Sequence, residues 1–327
     1  MIRIAAFEVR DDEMEYFKQC GKIYDCEIVT SPNTLTEDLI DNLKDITGVT
    51  TTGHSSIDKA VIDKLIASDI KLYATRTMGY DHVDVKYAKE AGLKVANSNY
   101  PPSGVADYTV MLILMSLRHY KKALWRGQVN DYSLEGLVGK DLHELTVGVI
   151  GTGRIGQSVI NRLTGFGCNI IAYDKYWDET VKNHAAYVEL EELMQTSDII
   201  TLHTPLLEDT YHMINTESIG KMKKGVVLIN CARGELMDVD SLIEGIESRQ
   251  IGALAMDVIE GEQDIYHKDR KDEIICNPKM AYLRQFPNVV MTQHMAFYTE
   301  LAVKNMVFGA VSGICDMKKH GTCETEL

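Results

Sequence analysis

The stretch that decides the fold is TVGVIGTGRIG, at residues 146–156. Its apolar beginning predicts a buried β-strand, and the continuation from Arg154 has the periodicity of an amphipathic helix. Between the two stands a turn whose glycines are Gly151, Gly153 and Gly156. In such a turn the glycines permit a tight bend, a close approach to a pyrophosphate, and close helix packing. The helix N-terminus then offers free N–H groups to the phosphates. We therefore predict a dinucleotide-binding unit here.

A carboxylate at the end of the next strand indicates which dinucleotide is bound. The strand NIIAYD ends in Asp174, 18 positions after Gly156. A carboxylate there can accept hydrogen bonds from an adenine ribose and repels a 2′-phosphate. The sequence therefore predicts NAD rather than NADP, although the neighbouring Lys175 acts in the opposite direction.

Outward from this turn, short apolar runs alternate with amphipathic helical segments over nearly the whole chain. This alternation is typical of parallel sheets covered by helices on both faces. The series starts again near Leu145, so we predict two doubly wound α/β units, Rossmann-like in type. The prolines of NYPPS, at 99–103, mark the crossing between them. A helical pattern follows Thr299.

Composition and charge exclude several classes of function. The 327 residues include 34 basic and 48 acidic side chains, a net charge of -14 that repels nucleic acids and anionic membranes. The seven cysteines form no C-x-x-C pair, which argues against a zinc site and favours a reducing compartment. No apolar block reaches the roughly 20 residues of a membrane span, and the N-terminus resembles a strand more than a signal peptide. We expect a cytoplasmic protein.

Polar groups follow three strands of the second unit. The run VVLINCARG ends in Arg233, ALAMDVIEGE ends in an acidic cluster from Asp257, and NVVMTQH ends in His294. Ligands of open α/β sheets bind beyond the carboxyl ends of the strands. Arginine suits a substrate carboxylate, and histidine suits proton transfer near neutral pH. An acid beside that histidine would fix its tautomer and keep it protonated. The residues alone leave Glu260 and Glu262 open for this role.

Two further residues have simpler interpretations. His203, in TLHTPL, ends a strand near the cofactor crevice, so we expect it to line the nucleotide site. Cys231 lies two positions before Arg233, and we expect a buried thiol there that behaves as a small apolar side chain.

Taken together, these motifs resemble the D-isomer-specific 2-hydroxyacid dehydrogenases over nearly the whole chain. Within the family the chain is most similar to the D-lactate dehydrogenase branch, especially its vancomycin-resistance type. The matching stretches are TRTMGYDHVD (75–84), VADYTVMLILM (105–115), TVGVIGTGRIG (146–156), LHTPL (202–206), INCARGELMD (229–238), ALAMDVIEGE (253–262) and TQHMAFYT (292–299).

The resemblance implies roles for individual residues. Glu262 rather than Glu260 would pair with the proton donor His294, Arg233 would hold the substrate carboxylate, and Asp257 would support Arg233 and the nicotinamide pocket. The implied cofactor-binding residues are Gly151, Gly153, Arg154, Ile155, Gly156, Asp174, His203, Thr204, Pro205, Cys231, Ala232 and Asp257. The implied substrate-binding residues are Met78, Gly79, Tyr100, Arg233 and Phe297.

The resemblance also implies a domain plan and a reaction. Residues 1–100 and 299–327 would form a flavodoxin-like substrate domain, and 101–298 the NAD-binding Rossmann domain, with the active site in the cleft between them. A homodimer is implied. The implied reaction is reduction of pyruvate to D-lactate with NADH. The alternatives are a larger apolar 2-oxo acid, such as 2-oxoisocaproate or phenylpyruvate, and a non-enzymatic NAD(H)-sensing scaffold.

Three positions depart from the family pattern. Gln293 stands where a proline usually precedes the catalytic histidine, and Met295 stands where a threonine often follows it. His54 stands where much of the lactate branch has an aromatic residue. The departures leave every catalytic group in place but bear on the shape of the substrate pocket. The intact Glu262 argues against a formate dehydrogenase, which has Gln at that position.

Overall fold

The computed structural model describes the whole chain, residues 1–327. Its backbone falls into two compact units, Met1–Pro101 with Tyr298–Leu327, and Pro102–Phe297. The strands, β1 to β12, are Ile2–Ala6, Cys26–Thr30, Gly48–Thr51, Leu72–Thr75, Lys94–Ala96, Thr146–Ile150, Asn169–Tyr173, Ala186–Tyr187, Ile199–Leu202, Val226–Asn230, Ile251–Met256 and Val289–Met291. The helices, α1 to α12, are Met14–Tyr24, Glu37–Ile40, Lys59–Ala67, Val85–Ala91, Ser103–Leu117, Tyr120–Gln128, Arg154–Leu163, Leu190–Thr196, Thr216–Lys221, Val239–Glu247, Pro278–Leu283 and Glu300–His320. None of these helices combines the length and the apolar character needed to cross a membrane.

The first unit contains a five-stranded parallel sheet in the order β2-β1-β3-β4-β5. This is the flavodoxin-like order of a doubly wound sheet. Every residue of β3 and β4 is buried, as expected for parallel strands covered on both faces. Helix α12 packs on α1 and β4, and the N–H of Leu327 donates to the carbonyl of Val95 at 2.9 Å. The C-terminal segment is therefore part of this unit.

The second unit contains a seven-stranded parallel sheet in the order β12-β11-β10-β9-β6-β7-β8. The chain runs outward from β6 through β7 to β8, and then returns to the other side of β6 with β9. The order thus reverses between β6 and β9, where doubly wound sheets bind their ligands. The predicted fold class, two parallel α/β units, is confirmed. The two-residue strand β8 was not predicted, because it is too short to show a pattern.

The topology brings the candidate residues of the second unit to one edge of its sheet. Strands of a parallel sheet all end at the same edge, so the residues that follow β6, β10, β11 and β12 lie along it. These are the glycine turn, the segment with Arg233, the acidic segment from Asp257, and the segment with His294.

Candidate active site

The glycine turn after β6 has the geometry of a phosphate cradle. Gly151 has φ +91°, and a Cβ there would lie 2.6 Å from the carbonyl of His203. A Cβ on Gly156 would lie 1.9 Å from the carbonyl oxygen of Gly151, so the helix can approach only because this side chain is missing. A Cβ on Gly153 would meet no atom within 4 Å, so this glycine faces open space at the start of the ten-residue α7. The turn therefore leaves room beside a helix N-terminus, which fits a dinucleotide pyrophosphate.

Asp174 lies beside this turn, at the end of β7. Its Oδ2 accepts a hydrogen bond from the backbone N–H of Thr152 at 2.6 Å, and its Oδ1 accepts one from the N–H of Tyr176 at 3.0 Å. Each carboxylate oxygen can accept more than one hydrogen bond, so the group can also bind a ribose. The neighbouring Lys175 forms an ion pair with Asp209. Its charge is thereby partly compensated, which favours the NAD preference.

His203 follows β9 next to the same turn. Its Nε2 lies 2.9 Å from the hydroxyl of Thr201, whereas its Nδ1 is buried and has no hydrogen-bond partner. Burial lowers the pKa of His203 to about 3, so the imidazole stays neutral. A buried polar atom without a partner is costly, and a partner from a bound cofactor would satisfy it. Thr204 and Pro205 continue this segment.

The segment that carries Arg233 is held by a buried asparagine. Asn230, at the end of β10, accepts a hydrogen bond from the N–H of Ala232 at 2.9 Å and donates to the carbonyl of Arg233 at 2.8 Å. The following Gly234 lets the acidic segment approach, because a Cβ there would lie 2.2 Å from the carbonyl carbon of Ile259. The Arg233 side chain is half-buried, and its Nη1 donates to the Ala232 carbonyl at 2.8 Å. The motif NCARG thus fixes a guanidinium at the sheet edge.

His294 and Glu262 form a hydrogen-bonded pair. Nδ1 of His294 donates to Oε1 of Glu262 at 2.5 Å. The other carboxylate oxygen, Oε2, accepts the N–H of Ile259 at 2.7 Å. The Glu262 side chain is 15 % exposed and that of His294 is 33 % exposed. With Nδ1 held by the carboxylate, Nε2 is the atom left to exchange a proton with a ligand.

Glu260 is engaged elsewhere. Its Oε2 lies 3.0 Å from Nε2 of His212, and its Oε1 accepts the hydroxyl of Tyr211 at 3.2 Å. The rings of Tyr211 and His212 stack at 3.9 Å. The geometry thus distinguishes two acids that the residue pattern alone left open, and it pairs Glu262 with His294.

Asp257 has a role that the sequence reasoning missed. Its carboxylate is fully buried and accepts three hydrogen bonds from the segment around His294. The donors are the hydroxyl of Thr292 at 2.6 Å, the N–H of Met295 at 2.9 Å and the N–H of Ala296 at 2.8 Å. The available signal was topological: Asp257 follows β11, and β12 beside it leads to His294. Asp257 therefore holds the backbone on both sides of His294.

Two rings lie close to His294. The Phe297 ring meets the His294 ring edge-on, with centroids 6.2 Å apart. Nε2 of His267 donates to the His294 carbonyl at 3.0 Å, and the two imidazole centroids are 5.9 Å apart. His267 was not singled out by the sequence reasoning, because nothing in the pattern relates it to the site.

Cys231 is buried, as expected for a thiol that behaves as a small apolar side chain. Burial raises the pKa of this thiol, so it stays protonated.

The first unit presents its own candidate residues beyond β4. The carbonyl of Met78 accepts a hydrogen bond from the amide of Asn97 at 2.8 Å, and that of Gly79 accepts the hydroxyl of Thr77 at 2.6 Å. The N–H groups of Met78 and Gly79 donate no hydrogen bond within this unit, so they are suited to a carboxylate. Tyr100 follows β5 in the same unit.

Comparisons with known proteins identify the second unit. Residues 110–296 match the family model described as D-isomer specific 2-hydroxyacid dehydrogenase, NAD binding domain. The match covers more than half of the chain and confirms NAD as the cofactor.

Full-length relatives carry related names. An aromatic 2-oxoacid reductase of Clostridium sporogenes is 40% identical over 327 residues, which cover 99% of each chain. A D-lactate dehydrogenase of Lactiplantibacillus plantarum is 35% identical over 332 residues, which cover 100% of this chain and 99% of the relative. The solved structure of a D-2-hydroxyisocaproate dehydrogenase superimposes with a TM-score of 0.90 at 33% identity, covering 100% of this chain and 99% of the other.

Proposed function

We propose that this chain, which belongs to the D-isomer specific 2-hydroxyacid dehydrogenase family of NAD-binding oxidoreductases, reduces pyruvate to D-lactate. The observation that carries the proposal is the hydrogen bond of 2.5 Å between Nδ1 of His294 and Oε1 of Glu262, with His294 on a segment that Asp257 holds in place. Such a pair suits reversible proton transfer to a carbonyl oxygen.

Each catalytic residue has one task in this mechanism. The glycine turn of residues 151–156 and Asp174 would hold NADH, which would supply the hydride when bound. Arg233 binds the substrate carboxylate through its planar guanidinium, which fixes the orientation of the carbonyl. Nε2 of His294 gives its proton to the forming alkoxide oxygen, and Glu262 stabilises the imidazolium before the transfer. In the oxidation direction the same Nε2 takes the proton from the hydroxyl.

Further contacts to the substrate come from residues that the sequence predicted. We assign the carboxylate also to the N–H groups of Met78 and Gly79, since neither donates a hydrogen bond within its unit. Phe297 supplies apolar surface next to His294, and we assign Tyr100 to the same task. We also propose the predicted domain roles, with the substrate domain formed by 1–100 and 299–327 and the NAD-binding domain by 101–298.

Reduction of an aromatic 2-oxo acid such as phenylpyruvate is the second candidate. It is favoured by the relative named aromatic 2-oxoacid reductase, which is 40% identical over the full length. The two candidates share every catalytic residue and differ only in the side chain that the pocket accepts.

A panel of 2-oxo acids tests the proposal. Oxidation of NADH is followed by absorbance with pyruvate, 2-oxobutyrate, 2-oxoisocaproate, phenylpyruvate, oxaloacetate and 2-oxoglutarate, and repeated with NADPH. We expect the highest kcat/KM with pyruvate and NADH; a higher value with phenylpyruvate would select the second candidate. No turnover with any acid, despite NADH binding, would favour the NAD(H)-sensing scaffold instead.

A matched pair of variants tests the proton donor. The chain holds two histidine–glutamate pairs, His294 with Glu262 and His212 with Glu260. His294→Gln should lower kcat by a factor on the order of 10² to 10⁴, the usual contribution of general acid catalysis. His212→Gln should leave kcat nearly unchanged, and both variants should bind NADH. An equal loss in the two variants would remove His294 from this role.

A homodimer is the proposed assembly. Large apolar side chains are exposed on α6 and the segment that follows it, and a concentration of this kind marks an interaction surface. These residues are Tyr120, Leu124, Trp125, Val129, Tyr132, Leu134 and Val138. Light scattering should give twice the chain mass, and Leu134→Asp, at a position 81% exposed, should shift the protein towards the monomer. A monomeric wild type would contradict the proposal.

A further inference from the structure

A cavity of about 210 Å³ opens in the second unit beside α11. Much of its wall is apolar, formed by Ile265, Ile275, Met280, Ala281 and Met291. None of these residues belongs to the glycine turn, to the segment of Arg233 or to the pair of Glu262 and His294. The apolar part of the lining is therefore distinct from the residues assigned to cofactor and substrate. An apolar cavity of roughly 150 Å³ is already large enough to bind benzene.

Positive charge is concentrated at this cavity, in a chain that is acidic overall. Lys268, Arg270 and Arg284 all line it. Lys268 pairs with Asp264 at 3.3 Å and Arg270 pairs with Glu273. The Arg284 residue is exposed and its guanidinium forms no ion pair. One uncompensated cation thus stands beside an apolar space.

One lining residue has a buried hydroxyl without a hydrogen-bond partner. Tyr266 is only 6% exposed and lines the cavity, and its hydroxyl is buried with no hydrogen-bond partner. Burial raises the pKa of Tyr266, and the charges of Glu262 and Asp257 raise it further. The phenol therefore stays protonated and acts as a donor that lacks an acceptor. Leaving such a donor unpaired is costly, so an acceptor oxygen on a ligand would stabilise the protein.

The cavity adjoins the catalytic segments. Thr292 and Gln293 line it and directly precede His294, and Ile265 and Tyr266 lie on the segment that follows Glu262. The N–H groups of both Ile265 and Tyr266 donate to the Glu262 carbonyl, at 2.8 and 2.9 Å. A molecule in the cavity would thus contact the supports of both members of the acid–base pair.

We propose that this cavity is a second binding site, for a small apolar carboxylate such as an aromatic or branched-chain acid. The apolar walls accept the hydrocarbon part, and the carboxylate lies at Arg284. Tyr266 supplies a hydrogen bond to an acceptor oxygen of the ligand.

Binding of benzoate tests the site without reference to turnover. Calorimetric titrations use NADH-saturated protein in the Arg233→Gln background, where the proposed active-site partner of a carboxylate is absent. We expect one benzoate to bind in the millimolar range. Adding Arg284→Gln should weaken this binding roughly tenfold, the value of one charge-assisted hydrogen bond. Ala281→Phe should abolish it by filling the cavity.

The matched control is Lys279→Gln. Lys279 is an exposed cation on α11, the helix that ends next to Arg284; it pairs with Asp240 at 2.7 Å, and it does not line the cavity. Benzoate should bind this variant as it binds the parent. Equal affinity in the parent, Arg284→Gln and Ala281→Phe would overturn the proposal, as would binding that requires Arg233 or no binding in the millimolar range. Arg284→Gln changes an exposed side chain, so its result stands even if Ala281→Phe fails to fold.

Discussion

Replacing Asp257 by asparagine tests how the segment around His294 is held. The carboxylate is fully buried and accepts hydrogen bonds from Thr292 and Met295 on Oδ1 and from Ala296 on Oδ2. Asparagine has one acceptor oxygen and one NH₂ group. If the oxygen keeps the two donors on its side, the NH₂ group must face the N–H of Ala296. That buried N–H then loses its acceptor.

The cost can be worked out from these contacts. A buried donor without a partner costs about 1–3 kcal/mol, and hydrogen bonds to a charged acceptor are worth about 1 kcal/mol more than neutral ones. A neutral asparagine costs less free energy to bury than a carboxylate, and this difference offsets part of the two losses. We expect Asp257→Asn to lower the free energy of unfolding by about 3 kcal/mol. For a unit of this size, that corresponds to a fall in Tm of roughly 6–12 °C.

The effect on activity follows from the same contacts. A shift of the 292–296 segment by about 1 Å can lower the rate on the order of a hundredfold. Urea and thermal unfolding give the stability, and single-turnover reduction gives the rate. The control is Asp240→Asn, because Asp240 is exposed and its pair with Lys279 is worth at most about 1 kcal/mol. If Asp257→Asn were as stable and as active as Asp240→Asn, Asp257 would not position His294.

Three further predictions concern single side chains. Glu262→Gln should lower kcat by a factor on the order of 10² to 10⁴, because His294 loses the carboxylate that orients its imidazole and stabilises the imidazolium; an unchanged kcat would contradict this. Arg233→Gln should raise KM for the 2-oxo acid about 10- to 100-fold while leaving the Kd of NADH unchanged, and intact substrate affinity would exclude Arg233 from carboxylate binding. Burial raises the pKa of Cys20 to about 12, so its thiol should stay protonated and resist iodoacetamide at pH values near 8, whereas the exposed Cys276 should react. Mapping the labelled peptides by mass spectrometry checks the order, and labelling of Cys20 first would contradict it.

The glycine turn and the parallel sheets could be predicted from the sequence because their physical causes are local. The glycines are required by close contacts within the turn and with the adjacent His203, since a Cβ on Gly156 would collide with the carbonyl oxygen of Gly151. Apolar strands buried on both faces show as continuous runs, as in β10, whose five residues are all buried. Strand β8 could not be predicted, because two residues are too few to show a pattern of alternating or continuous apolar side chains.

The choice between Glu260 and Glu262 could not be made from spacing, and the reason is a single backbone angle. Gly261 between them has φ +79°, a left-handed conformation that favours glycine. The chain turns there, so the carboxylates on either side reach different histidines, His212 and His294. The sequence shows the Glu-Gly-Glu run, but it does not show which histidine each of the two carboxylates contacts.

The hydrogen bonds of Asp257 also explain how the site tolerates Gln293, where the family pattern has a proline. A proline would stiffen the backbone by fixing φ, and stiffness matters here because His294 has φ +50°, an unfavourable angle for a residue with a side chain. In this chain the constraint comes from hydrogen bonds instead. The His294 N–H donates to the Asp257 carbonyl at 2.7 Å, and the Asp257 carboxylate binds donors on both sides of it. The positive φ angle of His294 is thus maintained by the buried Asp257 rather than by the residue at position 293. Position 293 therefore need not be a proline, and Gln293 lines the cavity beside α11.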